Sequence, residues 1–194
     1  MLISFKQKIP IYQHPIYNKK TNKFENATFF QTTCENPKDI DNFIKKAKKF
    51  FFAQYIYNNM LCDNCDIQNF KHTKNTQYYT LETNKQETVG ICEIEKYKNS
   101  ANIDYIETSQ NYKYCGQTLI ACIAKKLNKD KSTQISVNTP LGTALNFYIN
   151  ICGFKNNSKT HNITINNKNG SIKRLIKQVE KITDTPIVDC RNKY

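Results

Sequence analysis

The sequence predicts a mixed α/β (α+β) domain built on a mostly antiparallel central sheet flanked by helices. Three observations lead there. The chain has 194 residues, 39% of them hydrophobic and 12% aromatic, enough for one domain with a sizeable core. Its apolar residues form short β-prone runs in the middle of the chain and recur at three- and four-residue spacing towards the end. The middle runs are joined by polar links too short for a crossover, so they pair as antiparallel neighbours.

Taken in order, residues 1–26 show no clear periodicity and read as an N-terminal extension, partly extended or disordered. Ala27–Thr33 (ATFFQTT) is short, apolar and β-prone, a strand. Asn36-Pro37-Lys38-Asp39 marks a helix start, with proline at the first position and an acid in the first turn. The helix runs over about Lys38–Asn58, with Ile40, Phe43, Ile44, Ala47, Phe50, Phe51 and Tyr55 on one face. Leu61–Asn75, rich in Asp, Asn and Cys, is a loop.

Gln77–Glu82, Glu87–Lys96 and Ala101–Ser109 are the three meander strands. Gly116–Asn128 is a helix with Leu119, Ile120, Ile123 and Leu127 inward, and Gln134–Asn138 is a short strand. Pro140–Ile151 is a second helix, stopped by Gly153. Asn162–Asn166 is a strand, and Ser171–Thr183 an amphipathic helix with Ser171 as N-cap. The organisation is an extension (1–26), one catalytic-sized domain (27–170), and a C-terminal helix with its tail (171–194).

The net charge is +13, nearly all from lysine, since Arg174 and Arg191 are the only arginines. A basic surface favours anionic partners such as nucleotides and CoA phosphates. Scarce arginine argues against a nucleic-acid reader, which needs bidentate contacts. Cys92 and Cys122, set in apolar runs, read as reduced core residues. Cys62 and Cys65 have metal-ligand spacing, yet no second pair follows, so no metal is expected. His14, His72 and His161 are scattered and read as surface residues. The start, Met1-Leu-Ile-Ser-Phe-Lys, lacks the long apolar run of a cleavable leader, so none is expected, and no run approaches the ~20 apolar residues of a membrane span. A cytoplasmic protein that does not engage membranes is expected.

Two stretches carry chemistry. The first is the strand-to-helix turn Asn111-Tyr112-Lys113-Tyr114-Cys115-Gly116, continuing as Gln117-Thr118-Leu119-Ile120. Backbone N–H groups at a helix start lack intrahelical partners and, with the helix dipole, can hold a diphosphate. The second is Asn138-Thr-Pro-Leu-Gly-Thr-Ala144-Leu-Asn-Phe147-Tyr148, ending in Gly153-Phe154. Together they resemble the GCN5-related N-acetyltransferases, whose turn is Arg/Gln-x-x-Gly-x-Gly/Ala and whose later block is Asn…Ala-x-x-Phe-Tyr…Gly-Phe. In this register Asn111 takes the basic or Gln position, Tyr114 the first glycine and Gly116 the last. Four residues separate Tyr148 from Gly153 where the family has three, so a one-residue bulge is needed to keep Tyr148 in its place.

The resemblance implies an N-acetyltransferase that uses acetyl-CoA and an amine-bearing small molecule or protein as acceptor; a homodimer is open. It implies that Asn111, Lys113, Tyr114, Cys115, Gly116, Gln117 and Thr118 hold the diphosphate, with Asn138 in the second block. It also implies that backbone N–H groups of Ile106 and Thr108 meet the pantetheine arm and thioester carbonyl, and that Tyr148 protonates the leaving thiolate. The base is sought among Glu93, Asp104 and Glu107, with Glu93 and Asp104 preferred; strand alternation leaves open which faces the cleft. Glu93, between Ile91 and Ile94, is expected to have a raised pKa from burial. A CoA-binding protein without turnover and a basic nucleic-acid module are the alternatives.

Overall fold

The computed structural model describes residues 8–32, 75–130, 134–138, 142–156 and 162–191. The helix expected over 38–58, Cys62 and Cys65, and His72 and His161 lie outside the described residues. The architecture is a ten-stranded mixed sheet, mostly antiparallel, with helices packed against it.

Strands β1 (Lys8–Asn18) and β2 (Lys23–Thr32) form a hairpin. Residues 8–26 are therefore part of the sheet, where the sequence suggested an irregular extension. The inward side of β1 is Tyr12, His14 and Ile16. Two prolines interrupt the run, and Pro10 sits where the pairing register shifts, a place in a sheet that tolerates a missing N–H. His14, expected at the surface, is 1% exposed. Its Nε2 lies 3.3 Å from Thr183 Oγ1, and burial lowers its pKa.

The meander β3 (Thr76–Thr83), β4 (Thr88–Lys96) and β5 (Ser100–Thr108) pairs antiparallel throughout, within a residue or two of the expected bounds. A short strand β6 (Tyr112–Lys113) returns to pair with β1. Helix α1 (Cys115–Lys129) follows, burying Leu119, Ile120, Ile123 and Leu127 against the sheet. Burial of four such side chains is worth ~1.5–3 kcal/mol each.

Strand β7 (Gln134–Val137) pairs parallel to β5, the one parallel pairing among the described strands. The second helix, α2, has an α-helical start at Gly142–Asn146 and continues as a π-turn over Phe147–Ile151. Strands β8 (Lys155–Asn156) and β9 (Ile163–Asn166) complete that edge. Helix α3 (Ser171–Thr183) packs on α1, capped by Gly170 at φ 71° with Ser171 as the first helical residue, not the cap. Strand β10 (Val188–Asp189) pairs with β1, so the tail joins the sheet. Lys129 and Arg191 both hold Asp189, each at 2.6 Å, which pins this closure.

Candidate functional site

The site begins where two parallel strands part. β5 pairs with β7 only through Ser100↔Gln134 to Ile103↔Val137, and β7 then ends. Beyond Ile103 the backbone pairing of β5 with β7 does not continue. Asp104 is itself the extra residue of a β-bulge, since Glu93 pairs with Tyr105 but Ile94 with Ile103. Such bulges re-aim a strand next to a site.

The direction of the free groups follows from the ladder. Ser109 N–H donates to Val89 O at 2.9 Å, so residues alternating with it along β5 turn their N–H groups to β4. The N–H groups of Ile106 and Thr108 point the other way, into the gap. The Thr108 N–H is met at 3.2 Å by the Glu107 carboxylate.

Helix α1 starts beside this gap. Its first backbone bond is Thr118 N–H to Tyr114 O, 2.9 Å. The N–H groups of Cys115, Gly116 and Gln117 precede that bond, and the cap residue Tyr114 supplies no side-chain acceptor. They form an outward cluster of donors with the positive end of the helix dipole behind it. Tyr114 has φ 68° and ψ 0°, a left-handed conformation. This costs a non-glycine residue ~1–2 kcal/mol, so the backbone here has a shape that suits glycine although the residue is tyrosine. Gly116 has ordinary dihedrals, and its lack of a side chain matters for packing: a Cβ there would lie 2.9 Å from Phe147 Cζ.

The wall opposite comes from α2. In the π-turn, Cys152 N–H donates to Phe147 O (3.1 Å), five residues back. Phe154 N–H donates to Tyr148 O at 3.0 Å. The wider turn absorbs the additional residue between Tyr148 and Gly153 as a bulge in the helix, and Gly153 ends it at φ 74°. Tyr148 is 3% exposed, packed edge-on between Phe147 and Phe154. Burial pushes its pKa well up, and Cys92, Cys152 and Glu107 add to the shift, so the phenol keeps its proton at neutral pH.

These parts enclose an open cavity of about 620 Å³. Ile106, Glu107 and Thr108 line it from β5; Lys113 to Gln117 line it from the turn; Ala144, Phe147, Tyr148 and Ile151 line it from α2. Lys19 and Tyr112 complete the rim. Lys19 reaches it because the β1–β2 hairpin is tied to the turn: Lys19 N–H donates to Asn111 O at 2.9 Å and its ammonium to Gln110 O at 2.5 Å. Nothing in the sequence around Lys19 signals this, because the pairing of β1 with β6 spans most of the domain.

Of the residues singled out from the sequence, Ile106, Thr108, Lys113, Tyr114, Cys115, Gly116, Gln117 and Tyr148 meet at the cavity. Thr118 does not: it is fully buried and its N–H is held inside the helix. Asn111 and Asn138 are exposed and off the lining. Glu93 and Asp104 are also off it. Glu93 pairs across the ladder with Tyr105 and is 5% exposed. Burial, with help from the charges of Asp104 and Glu95, pushes its pKa up to about 7. Asp104 is raised by burial but held back by the Asn102 amide, 2.5 Å away. Glu107, raised by burial and opposed by the Thr108 N–H, is the carboxylate at the cavity itself. Cys92 and Cys122 are buried and in no disulfide, as are Cys115, Cys152 and Cys190. Among the described residues no helix is long and apolar enough to cross a membrane.

No family model matches the sequence, and no curated protein matches it. Solved structures do. GCN5 from Tetrahymena superposes with a TM-score of 0.54 at 14% identity, covering 71% of this chain and 94% of that one. An acetyltransferase of the GNAT family from Staphylococcus aureus Mu50 gives 0.54 at 16%, covering 73% and 99%. The GNAT domain of S. lividans PAT gives 0.50 at 10%, covering 79% and 96%. At these identities the likeness is one of fold, and the fold is that of the GCN5-related N-acetyltransferases.

Proposed function

We propose that the protein is an N-acyltransferase that takes acetyl-CoA as co-substrate and transfers its acetyl group to a primary amine by direct attack. The observation that carries this reading is the coincidence, in one cavity, of a parted strand pair with the Ile106 N–H turned into the gap and a helix start whose first N–H groups have no side-chain cap. A thioester bound there supplies an activated acetyl group and a thiol leaving group.

The residues present fit such a co-substrate. The N–H groups of Cys115, Gly116 and Gln117 would hold a diphosphate, with Lys113 adding charge. The gap beyond Ile103 and Val137 admits an extended arm beside Ala144 and Phe147. The Ile106 N–H would donate to the thioester carbonyl, an effect worth ~3 kcal/mol per donor. Tyr148, protonated at neutral pH, would give its phenolic proton to the departing sulfur as the carbon–sulfur bond breaks. The amine must lose a proton as its nitrogen bonds to the carbonyl carbon. Glu93 has the matched pKa for taking it, through water, and Glu107 has the position.

One observation favours a second reading, a protein that binds acyl-CoA without turnover: the Glu107 carboxylate already engages the Thr108 N–H. Release of the CoA thiol, measured with a lysine-bearing peptide, a polyamine and an aminoglycoside as acceptors, separates the two. Thiol release that needs one of these amines supports the transferase; acetyl-CoA binding without release from any of them supports the second reading.

A further inference from the structure

Beside the cavity mouth lie two aromatic rings that the proposed transfer chemistry does not use. Phe24 on β2 is 47% exposed and Tyr114 at the turn is 38% exposed. The rings are stacked, 6.4 Å apart at 12°. Tyr114 keeps its ring at a backbone conformation that glycine would adopt without strain, and more than a third of the residue stays exposed. Strain kept at an exposed aromatic beside a cavity points to a use for the ring.

The surroundings say what kind of ligand. Lys113 and Tyr114 line the cavity as well, so the ring pair continues directly from it. Tyr17 meets Phe24 edge-on at 5.2 Å and carries the Lys113 ammonium 5.3 Å above its ring. Lys19, on the same rim, is tied to the turn through Gln110 and Asn111. A flat apolar face flanked by lysines, adjoining a diphosphate-sized cluster of N–H donors, suits a nucleobase whose sugar carries a phosphate.

We propose that Phe24 and Tyr114 form a stacking platform for the adenine ring of the acyl-CoA, with Lys19 facing its ribose phosphate. This rests on the acyl-CoA reading and assigns the nucleotide end of that ligand to Phe24 and Lys19 of the N-terminal hairpin together with Tyr114 of the turn. The hairpin would thus be a part of the binding site and not an appendage to it.

Calorimetric titration of the full chain with CoA, 3′-dephospho-CoA and 4′-phosphopantetheine tests it. Wild type binds CoA more tightly than 4′-phosphopantetheine. Phe24→Ala weakens CoA about tenfold, in line with base–aromatic stacking, and leaves 4′-phosphopantetheine unchanged. Tyr114→Gly also weakens CoA, while its melting temperature stays level or rises because the turn relaxes. Lys19→Ala narrows the preference for CoA over 3′-dephospho-CoA. Both rings are exposed, so the variants keep their fold, which circular dichroism verifies. The platform is overturned if CoA affinity is unchanged in Phe24→Ala and Tyr114→Gly, or if affinity for both ligands falls together. It is also overturned, with the acyl-CoA reading intact, if wild type binds CoA and 4′-phosphopantetheine equally. Binding of neither ligand by wild type removes the acyl-CoA reading itself.

Discussion

Tyr148 and Glu93 show how burial prepares single side chains. The phenol of Tyr148 is kept protonated by its apolar setting, which suits a proton donor. Tyr148→Phe is expected to lower kcat at least tenfold, within the ~10²–10⁴-fold range of general acid–base effects, with little change in KM for acetyl-CoA. An equal loss in a variant that no longer binds acetyl-CoA would mean a packing role instead. Glu93, with its pKa pushed up to about 7, has two consequences of defined sign. As a base it acts deprotonated, so kcat/KM should rise through about pH 7 in wild type and lose that inflection in Glu93→Gln. Its folded pKa lies above the ordinary carboxylate value, so its contribution to stability is present below about pH 4.5 and is lost as the pH rises through about 7. Glu93→Gln should therefore melt higher than wild type at pH 8 and converge with it near pH 5. At this scale the sequence was partly legible. The apolar neighbours Ile91 and Ile94 announced a buried Glu93. The left-handed backbone of Tyr114 was not legible, because a tyrosine gives no sign of a positive φ.

At the scale of elements, α1 and α2 are fitted to one another through Gly116 and the π-turn. A methyl group at Gly116 would press on the Phe147 ring at 2.9 Å. Gly116→Ala should cost ~1–3 kcal/mol from overpacking and weaken acetyl-CoA binding by pushing Phe147 into the cavity. Gly116→Ala combined with Phe147→Leu should recover most of the stability in a denaturant titration, and additive losses would refute the contact. The π-turn answers a question of spacing. Four residues stand between Tyr148 and Gly153, and the five-residue bond from Cys152 to Phe147 shows the helix widened over that stretch. Deleting the exposed Asn150 should thus be tolerated, with cooperative unfolding retained in a thermal melt by circular dichroism. Loss of folding would show that the inserted residue is needed in its own right. Helices α1 and α3 and the meander strands were legible because their periodicity is strong and local. Strands β6, β8 and β10 were not: each is two residues long and exists only through its distant partner. β1 was hidden by Pro10, Pro15 and an inward histidine that break the apolar alternation.

Across the whole molecule, the fold class could be read from the order of elements, and most of the cavity lining from two short stretches that the topology brings together. Thr118 and Asn138 lie one step past the ends of the turn and of β7, where a motif gives no orientation, and Glu93 and Asp104 depend on a bulge invisible in the sequence. The excess of lysine, +13 overall, gives the surface an attraction for polyanions that salt should weaken. The hairpin 8–32 and the tail ending in β10 both close on the same edge, so the termini of the described chain are structural parts of the sheet. The most direct test of the account is calorimetric titration of the full chain with acetyl-CoA, paired with thermal melting in its presence. Saturable one-to-one binding is expected, with a melting temperature that climbs with ligand, a gain of about 2.7 kcal/mol at a hundred times Kd. Absence of both heat and thermal shift at millimolar acetyl-CoA would contradict it.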